Sequence, residues 1–297
     1  MKKVVVFICW CLFLSSYAHA QKRLNKRVLV IGVDGLNVYD LEKANTPNID
    51  SLRKQGAWTY AAKTVMPSSS SPNWASMTMG APPDLTTIHA NGWDRQTYID
   101  SPTCAGSPKF FPSIFSEMKR QRPKDKVDIV HQWWSMRALL QRKDFNRERA
   151  TFLSPKRTMK VARRYFAIHK PALLFTHFDQ CDHAGHEYGH GSPEYIAAVE
   201  LMDKMVGKLV KKLKKKGLYE NTYILLTSDH GGIDHGHGGD TPQERNIPWI
   251  LTGPTVKKDY ELKSAIVTYD TALTIAKILD LKPHACWTGK AVEEAFQ

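Results

Sequence analysis

Short apolar runs alternate with longer amphipathic segments along the 297-residue chain. Continuous apolar runs of this kind are typical of strands that are buried on both faces. They predict strands over residues 27–33, 126–130, 172–178, 222–227 and 247–251, and an extended segment over 60–66. The intervening segments predict helices over residues 47–56, 112–119, 154–168, 192–217 and 270–279. The alternation predicts an α/β fold, a three-layer α/β/α sandwich whose central sheet is mostly parallel.

Acidic and imidazole side chains follow three of the predicted strands directly. In open α/β sheets, ligands bind at the carboxyl ends of the strands, so we expect these side chains to meet at one edge of the sheet. Carboxylate and imidazole ligands without a thiolate suit Zn²⁺ first, and Mn²⁺ or Fe²⁺ less well. The candidate metal ligands are Asp34, Asp182, His186, Asp229, His230 and His237.

A fourth polar cluster, residues 67–74, contains four consecutive serines between two prolines. Pro72 is suited to the first position of a helix and Ser71 to its N-cap. The free backbone N–H groups of such a terminus would point towards the serines. A serine placed there could attack a phosphorus atom while the amides hold the developing negative charge.

The first twenty residues predict a secretory signal peptide. Met1-Lys2-Lys3 precedes an apolar run from Val4 to Tyr17, and the small-residue site Ala18-His19-Ala20 predicts cleavage after Ala20. The apolar run is too short to span a bilayer, and a retained anchor is the second interpretation. We therefore expect export to the periplasm or the medium, and one catalytic domain over residues 21–297.

The chain is basic, with a net charge of +13 that falls to +11 when the two lysines of the leader are removed. A field of this sign would concentrate an anionic phosphoester substrate, and it equally fits loose adhesion to an anionic envelope. Many of the lysines, from Lys208 to Lys216, lie near the predicted end of one helix, where they complement the helix dipole. We predict no specific nucleic-acid binding, and the oligomeric state is left open.

Three cysteines follow the predicted leader, namely Cys104, Cys181 and Cys286. An odd number excludes a fully paired framework. One disulfide with one free thiol and three free thiols fit the sequence equally.

Taken in order, the four clusters resemble those of the alkaline phosphatase superfamily, and within it the nucleotide pyrophosphatase/phosphodiesterase branch. The matching segments are Val33-Asp34-Gly35, Pro67 to Asn73 with Gly80, Asp182 to His186, Ser228 to Gly231 and His237 to Gly239. The resemblance implies an alkaline phosphatase-like fold and two zinc ions. It implies that one ion is held by Asp182, His186 and His237, and the other by Asp34, Ser70, Asp229 and His230.

The resemblance also implies the chemistry. Ser70 is the expected nucleophile, because in this branch the nucleophile lies two residues before the proline and three before the asparagine. Its attack would give a phosphoseryl intermediate that water then hydrolyses. Asn73 and the amide next to Ser70 are expected to stabilise the non-bridging oxygen.

Asn73 also favours a phosphodiesterase or nucleotide pyrophosphatase, since monoesterases of the superfamily generally place arginine or lysine against the extra charge. No basic residue lies between Lys63 and Arg95. A phosphomonoesterase with the same metals is the alternative, and a non-catalytic, metal-stabilised binding protein is a further one.

Several histidines and tryptophans exceed what the expected site needs. His183, His190 and His235 are expected to support the ligands or to face solvent, and His89 to support its loop. The tryptophans Trp74, Trp93, Trp133 and Trp134 fit either the core or a pocket for a base or acyl group.

Overall fold

The computed structural model describes residues 26–94, 104 and 110–297, so the predicted leader lies outside the described residues. Its strands form one sheet in the order β4-β3-β5-β1-β6-β7-β2-β8. They are β1 (Arg27–Val33), β2 (Gly56–Lys63), β3 (Val127–His131), β4 (Arg147–Ala150), β5 (Leu173–Phe178), β6 (Thr222–Thr227), β7 (Asn246–Thr252) and β8 (Tyr260–Glu261).

The prediction of a mostly parallel sheet is confirmed, because every described pairing except those of β7 is parallel. β7 runs antiparallel to both β6 and β2. Between β6 and β7 the chain forms only a four-residue helix, Pro242–Arg245. Without a crossover helix it stays at the carboxyl edge of the sheet and returns in the opposite direction.

Helices cover both faces of the sheet. They are α1 (Val38–Leu41), α2 (Pro47–Lys54), α3 (Ser70–Met79), α4 (Pro83–Thr86), α5 (Ile114–Gln121), α6 (Met136–Leu139), α7 (Pro155–Arg164), α8 (Gln180–Tyr188), α9 (Pro193–Lys215), α10 (Pro242–Arg245) and α11 (Asp270–Ile278). Successive residues of β1 point to opposite faces, as a strand requires. Val28 and Val30 pack with α3, α5 and α11. Leu29 and Ile31 pack with α2, α7, α8 and α9, which gives the predicted three layers.

The predicted helix boundaries hold where capping residues mark them. Ser192 caps α9 by accepting a hydrogen bond from the Tyr195 N–H, and Gly217 follows the helix with φ +63°. At α2 the prediction is two residues too long, since Gly56 begins β2 instead. A Cβ at Gly56 would lie 2.1 Å from the Leu251 carbonyl oxygen, so glycine permits the close approach of β7.

Three further features differ from the sequence predictions. α3 begins at Ser70 with Ser69 as its N-cap, so the prediction of a start at Pro72 is wrong by two residues. α7 ends at Arg164 and continues as a π-helical turn, Tyr165–His169. The edge strands β4 and β8 are not predicted, because their sequences, Arg-Glu-Arg-Ala and Tyr-Glu, contain no apolar run.

The cysteines adopt the pattern of one disulfide and one thiol. Cys104 and Cys286 are bonded, with Cα atoms 5.7 Å apart, and Cys181 is buried and free. None of the helices in the described part of the chain combines the length and the apolar composition that a membrane crossing requires.

We expect this disulfide to stabilise the fold, since it joins residues that are 182 positions apart. Replacing Cys286 with serine should lower the free energy of unfolding by about 2–5 kcal/mol. Chemical denaturation of the two proteins, each beginning at Gln21, measures this difference. Thiol titration of the denatured wild type should find one thiol before reduction and three after it. Three thiols before reduction would contradict the assignment.

Candidate active site

The sequence-predicted ligands lie at the carboxyl edge of the sheet. Asp34 follows β1, Asp229 and His230 follow β6, and the loop after β6 also carries His237. Asp182 and His186 are one turn apart on α8, which begins two residues after β5. Residues four apart share a helix face, so both side chains are available to one site.

Gly35 allows the end of β1 and the first turn of α8 to meet. Its φ of +65° is a left-handed conformation, and a Cβ there would lie 2.7 Å from the Cα of Asp182. The Asp182 N–H donates a 3.1 Å hydrogen bond to the Asp34 carbonyl across this contact. Glycine therefore brings the ends of β1 and α8 close enough for their carboxylates to share a site.

One group of side chains surrounds His230. Its Nε2 lies 3.3 Å from Asp34 Oδ1 and 3.3 Å from Asp229 Oδ2. The Ser70 hydroxyl oxygen lies 3.2 Å from the same nitrogen. Asp34, Asp229, His230 and Ser70 are all buried.

A second group adjoins the first and centres on Asp182. Its Oδ1 lies 3.5 Å from His186 Nε2 and 3.7 Å from His237 Nε2. The same oxygen is 4.0 Å from His230 Nε2, so Asp182 lies between the two groups. The rings of His230 and His237 stack with centroids 3.9 Å apart. The structure thus brings all seven expected ligands into two contiguous groups.

In each of the three histidines, Nδ1 forms a hydrogen bond with a backbone carbonyl. His230 Nδ1 bonds the Gly231 carbonyl at 2.7 Å, His186 Nδ1 that of His235 at 2.9 Å, and His237 Nδ1 that of Ser68 at 3.2 Å. An imidazole that donates from Nδ1 presents an unprotonated Nε2, the arrangement found at metal-ligating histidines. A bound metal would therefore meet an unprotonated Nε2 on each ring, whereas in the metal-free protein the neighbouring carboxylates favour a proton on His230.

The carboxylates show the matching feature. Asp34 Oδ1, Asp182 Oδ1 and Asp229 Oδ2 are buried and form no hydrogen bond with the described residues. Buried charges of this kind are normally paired or coordinate a metal. One oxygen of each carboxylate converges with the three Nε2 atoms, and this set of ligand atoms fits a pair of divalent cations.

Burial and mutual repulsion shift the ionisation of these groups. Burial, with the charge of Asp34, raises the pKa of Asp182 to about 6 and raises that of Asp229 well above its usual value. Burial also tends to raise the pKa of Asp34, but the hydrogen bond from His177 and the proximity of His230 lower it overall. Burial opposes protonation of His230, yet Asp229 and Asp34 outweigh it and raise that pKa to about 10. Such opposed shifts are typical of functional sites.

Two residues that the sequence analysis does not assign to the site hold Asp34 in place. The indole N–H of Trp74 donates to Asp34 Oδ2 at 3.0 Å, and His177 Nε2 lies 2.9 Å from the same oxygen. Both side chains are fully buried. They occupy one carboxylate oxygen and leave the other for a cation. The only sequence signal is a histidine inside the apolar run of β5, and it has no partner until the chain folds.

Asp179 is a further buried acid beside this support. It lies in the group formed with Asp34 and His177. Burial, together with the charges of Asp34 and Asp182, raises its pKa to about 9. In the absence of metal this carboxyl is therefore protonated at neutral pH.

Among the four serines, Ser70 is the one beside a ligand. The Ser68 hydroxyl donates to the Gly239 carbonyl at 2.6 Å, and Ser69 is the N-cap of α3. The Ser71 N–H donates to the side-chain oxygen of Asn91 at 2.8 Å. The structure thus places Ser70 at the first position of α3, facing His230.

Asn73 does not face the groups around His230. Its side-chain oxygen accepts from the Val65 N–H at 2.7 Å, and its NH₂ group donates to the carbonyls of Pro67 and Ser69 at 3.1 and 3.0 Å. The residue is fully buried. Because its donors are taken by the backbone, the expected contact with a non-bridging oxygen is not available. Asn73 instead fixes the loop that carries the serines.

Asn91 lies beside Ser70, although the sequence analysis does not name it as a site residue. It is exposed, and its oxygen is bonded to the N–H of the residue that follows Ser70. Its NH₂ group supplies two further donors. A spacing of 21 residues from Ser70 gives no local pattern, so only folding shows this proximity.

The remaining histidines differ in their surroundings. His235 Nδ1 bonds the His186 carbonyl at 3.1 Å, and His186 Nδ1 bonds the His235 carbonyl. This reciprocal pair of hydrogen bonds orients the candidate ligand His186. His183 is exposed and lies 3.2 Å from Glu187. His190 has no hydrogen-bond partner for its ring among the described residues, and burial lowers its pKa to about 4. His89 is exposed.

The other tryptophans separate into core and surface. Trp93 is buried and Trp133 packs partly buried against the core. Trp134 is 53% exposed and stacks on Phe152 with ring centroids 5.5 Å apart.

The chain is similar to several known proteins. A family model described as type I phosphodiesterase / nucleotide pyrophosphatase matches residues 28–241. The chain is 21% identical over 260 residues to the bis(5′-adenosyl)-triphosphatase ENPP4 of Homo sapiens, covering 78% of this chain and 53% of that protein. It is 22% identical over 231 residues to the pyrophosphatase/phosphodiesterase C725.05c of Schizosaccharomyces pombe, covering 73% and 47%. The chain spans about half the length of these curated relatives.

Solved structures show the same fold. Murine ectonucleotide pyrophosphatase/phosphodiesterase 5 superimposes with a TM-score of 0.75 at 17% identity, covering 92% of this chain and 100% of that one. An inactive variant of the murine protein in complex with AMP gives a TM-score of 0.74.

We expect the Trp74 indole to support metal binding through Asp34. Trp74→Phe should weaken metal affinity by roughly 10- to 100-fold, the range for loss of a partner that orients a ligand. Competition with a chelating dye measures the affinity. Trp249→Phe is the matched control, because Trp249 is also fully buried and donates to Thr271 away from the site. Equal weakening in both variants would contradict the role of Trp74.

We also expect the metal-free protein to lose stability between about pH 7 and 9. The raised pKa values of Asp179, about 9, and His230, about 10, mean that the folded chain holds protons that the unfolded chain releases. The loss is about 1.4 kcal/mol per pH unit for each such group. His237 has a lowered pKa of about 3, so its titration changes stability only below about pH 6.5, where the unfolded chain binds the proton. It therefore does not affect the loss of stability between about pH 7 and 9.

Thermal unfolding of chelator-treated and zinc-loaded protein at several pH values tests this expectation. The loaded protein should lose less stability, because cations replace the protons. Parallel profiles for the two forms would show that these carboxylates do not share a cation site.

Proposed function

Because the chain belongs to the type I phosphodiesterase / nucleotide pyrophosphatase family, we propose that it is an exported phosphodiesterase with two metal ions that acts through Ser70. Zinc is the preferred metal, with Mn²⁺ or Fe²⁺ as substitutes. The observation that carries the proposal is the position of the Ser70 hydroxyl, 3.2 Å from His230 Nε2. It lies at the start of α3, beside carboxylate oxygens that have no donors among the described residues.

Two sets of residues would hold the metals. Asp182, His186 and His237 form one set, and their ligand atoms lie within 4.8 Å of one another. Asp34, Asp229 and His230 form the other, with Ser70 at its edge. Two such ions, when bound, would stabilise the charge on the attacking and leaving oxygens.

The chain itself supplies the nucleophile and its orientation. The Ser70 hydroxyl forms the new bond to phosphorus, the leaving alcohol or phosphate departs, and a phosphoseryl intermediate remains on Ser70 until water releases it. The first turn of α3 directs its N–H groups at this position. Asn73 holds the loop by three backbone carbonyls and one N–H, so the hydroxyl is positioned before substrate arrives.

Donors other than Asn73 are available to stabilise the non-bridging oxygen. The Ser71 N–H and the Asn91 side chain are already joined by a 2.8 Å hydrogen bond next to Ser70. We assign the non-bridging oxygen to these two groups, with the Asn91 amide turning its NH₂ towards it. Asn91 is exposed and Asn73 is not, which supports this assignment.

The surroundings of the serine loop support a diester substrate. The extra charge of a monoester would call for a basic side chain, and the nearby candidates are engaged elsewhere. Lys63 donates to Asn246, and Arg245 to Asp240 at 2.6 Å. Arg95 lies outside the described residues. A nucleotide diester or pyrophosphate is the substrate class that the family description and the names of its relatives favour.

Export is supported by the disulfide as well as by the predicted leader. Bonds such as Cys104–Cys286 persist in oxidising compartments and are rare in the cytosol. The basic chain would also attract an anionic phosphoester there.

We expect Ser70→Ala to lower kcat by roughly 10⁴-fold or more, since the covalent route is then closed. The assay compares zinc-loaded wild type and variant on bis(p-nitrophenyl) phosphate and on p-nitrophenyl phosphate. The wild type should show a higher kcat/KM for the diester. Ser69→Ala is the matched control, because the Ser69 side chain makes no capping hydrogen bond.

Each alternative has its own outcome in this assay. Hydrolysis that survives in Ser70→Ala would exclude the proposed nucleophile. A preference for the monoester would indicate a basic group at the phosphate and a phosphomonoesterase. No turnover of either ester by metal-loaded wild type would favour a binding protein.

A further inference from the structure

One helix far along the chain from the serine loop presents a strongly basic surface. α7 exposes five basic side chains, and its buried residues are Thr158, Met159 and Ala162. The helix contains no acidic residue. The five exposed residues recur at helical spacing and so share one side of α7. We call this set the basic face: Lys156, Arg157, Lys160, Arg163 and Arg164.

The surrounding segment does not offset this charge. Residues 137–170 contain eleven lysines and arginines against two acids, Asp144 and Glu148. Asp144 is buried. Glu148 accepts a 2.6 Å hydrogen bond from Arg137 and lies 3.1 Å from His131 Nε2.

The lysine-rich end of α9 extends the same surface. Partial desolvation and the charges of Lys216 and Arg163 lower the pKa of Lys212. Arg163 of the basic face therefore lies close to the end of α9, where Lys214, Lys215 and Lys216 are also exposed. A cluster of like charges this dense is retained at a cost in repulsion, which an anionic partner would relieve.

Exposed apolar side chains lie at both ends of the basic face. Phe152 and Leu153 directly precede α7 and are 58% and 51% exposed. Ile168, in the π-helical turn after α7, is 64% exposed. Trp134, stacked on Phe152, is a fourth exposed apolar side chain. We call Phe152, Leu153 and Ile168 the apolar flanks.

The backbone holds the first of these flanks in an unusual conformation. Phe152 and Leu153 have φ of 42° and 40°, the left-handed region that side chains with a Cβ rarely adopt. Gln180 donates to the Leu153 carbonyl at 3.3 Å, and Ser154 caps α7 directly after it. Strain of this kind persists where the exposed conformation has a use.

We infer that α7 is a membrane-docking surface, in which the basic face contacts anionic phospholipid headgroups and the apolar flanks enter the interfacial region of the bilayer. Basic residues near an anionic bilayer and apolar side chains at its boundary are the two contributions that hold peripheral helices on membranes. A nucleic acid would satisfy the basic face alone, since its phosphates offer nothing to Leu153 or Ile168. The combination therefore favours a bilayer.

Docking in this orientation has a consequence for the site. Trp134 and Phe152 follow β3 and β4, which run parallel to β5 and β1. They lie at the same edge of the sheet as Asp34 and Asp182. A docked molecule would therefore bring one of its two apolar flanks, Phe152 with Leu153, to the lipid headgroups at this edge. The docking itself is independent of the catalytic proposal and is tested without any substrate.

Vesicle co-sedimentation tests the inference. Protein beginning at Gln21 is used, so that the apolar run Val4–Tyr17 cannot itself bind lipid. The vesicles contain equal parts of phosphatidylglycerol and phosphatidylethanolamine, and phosphatidylcholine vesicles serve as the neutral comparison. We expect partitioning onto the anionic vesicles at about 0.1 M salt and its strong reduction at about 1 M, where the Debye length is about 3 Å.

Paired variants separate the basic face from the overall charge of the chain. Lys160→Glu with Arg164→Glu should lower the partition coefficient by about 30-fold or more, since two residues of the surface are lost. Lys258→Glu with Lys282→Glu is the matched control. It makes the same change in net charge away from the basic face. Lys258 lies next to β8, the outermost strand on the side of the sheet away from β4. Lys282 bonds to Gln121 of α5, in the layer on the other face of the sheet from α7. This control should retain most of the binding.

A third variant tests the apolar flanks. Leu153→Ser with Ile168→Ser should lower partitioning on the order of tenfold without changing its salt dependence. Thermal unfolding checks that each variant is folded. Absent binding to anionic vesicles, equal losses in the two charge-reversal pairs, or tighter binding to duplex DNA that the serine variant leaves unchanged would each overturn the inference.

Discussion

Three carboxylates meet three imidazole nitrogens where the strands end; Asp34 and Asp229 are buried and Asp182 is partly buried. One oxygen of each carboxylate forms no hydrogen bond with the described residues. Such a cluster is unfavourable unless cations or protons neutralise it. The surrounding structure is arranged to maintain it. Backbone carbonyls fix the Nδ1 side of every ligating histidine, and Trp74 with His177 fixes one oxygen of Asp34. The site is therefore preorganised for cations and costs stability when they are removed.

The sheet makes this convergence achievable. β1, β5 and β6 are adjacent and parallel, so the residues that follow them reach one edge although they are about 50 to 200 positions apart in sequence. α3 then places Ser70 against His230 from the opposite layer to α8. The proposed nucleophile and the candidate ligands thus approach from different layers and meet where the strands end.

Charge outside this site has a different distribution. Asp34, Asp179, Asp182 and Asp229 gather at the strand ends, whereas α7 and the end of α9 carry exposed basic residues. An anionic phosphoester would be drawn to the molecule as a whole, and an anionic bilayer to one side of it. Both attractions weaken with salt, but only the second also depends on exposed apolar side chains.

The sequence by itself determined the α/β class and the buried strands, and it predicted the candidate ligands, because all three depend on local patterns: apolar runs, caps and acidic residues directly after strands. Ser70 could also be chosen from its spacing to Pro72 and Asn73. The antiparallel β7, the Cys104–Cys286 pair and the edge strand β4 depended on which distant segments become neighbours.

The same reason explains where local reasoning failed. Asn73 resembles a group that meets substrate, yet its amide bonds to the loop backbone, while Asn91 comes to the serine from a separate loop. Trp74 and His177 look like core residues until Asp34 is placed between them. Hydrogen bonds between segments far apart in the chain have no sequence period, and so only the tertiary structure could decide them.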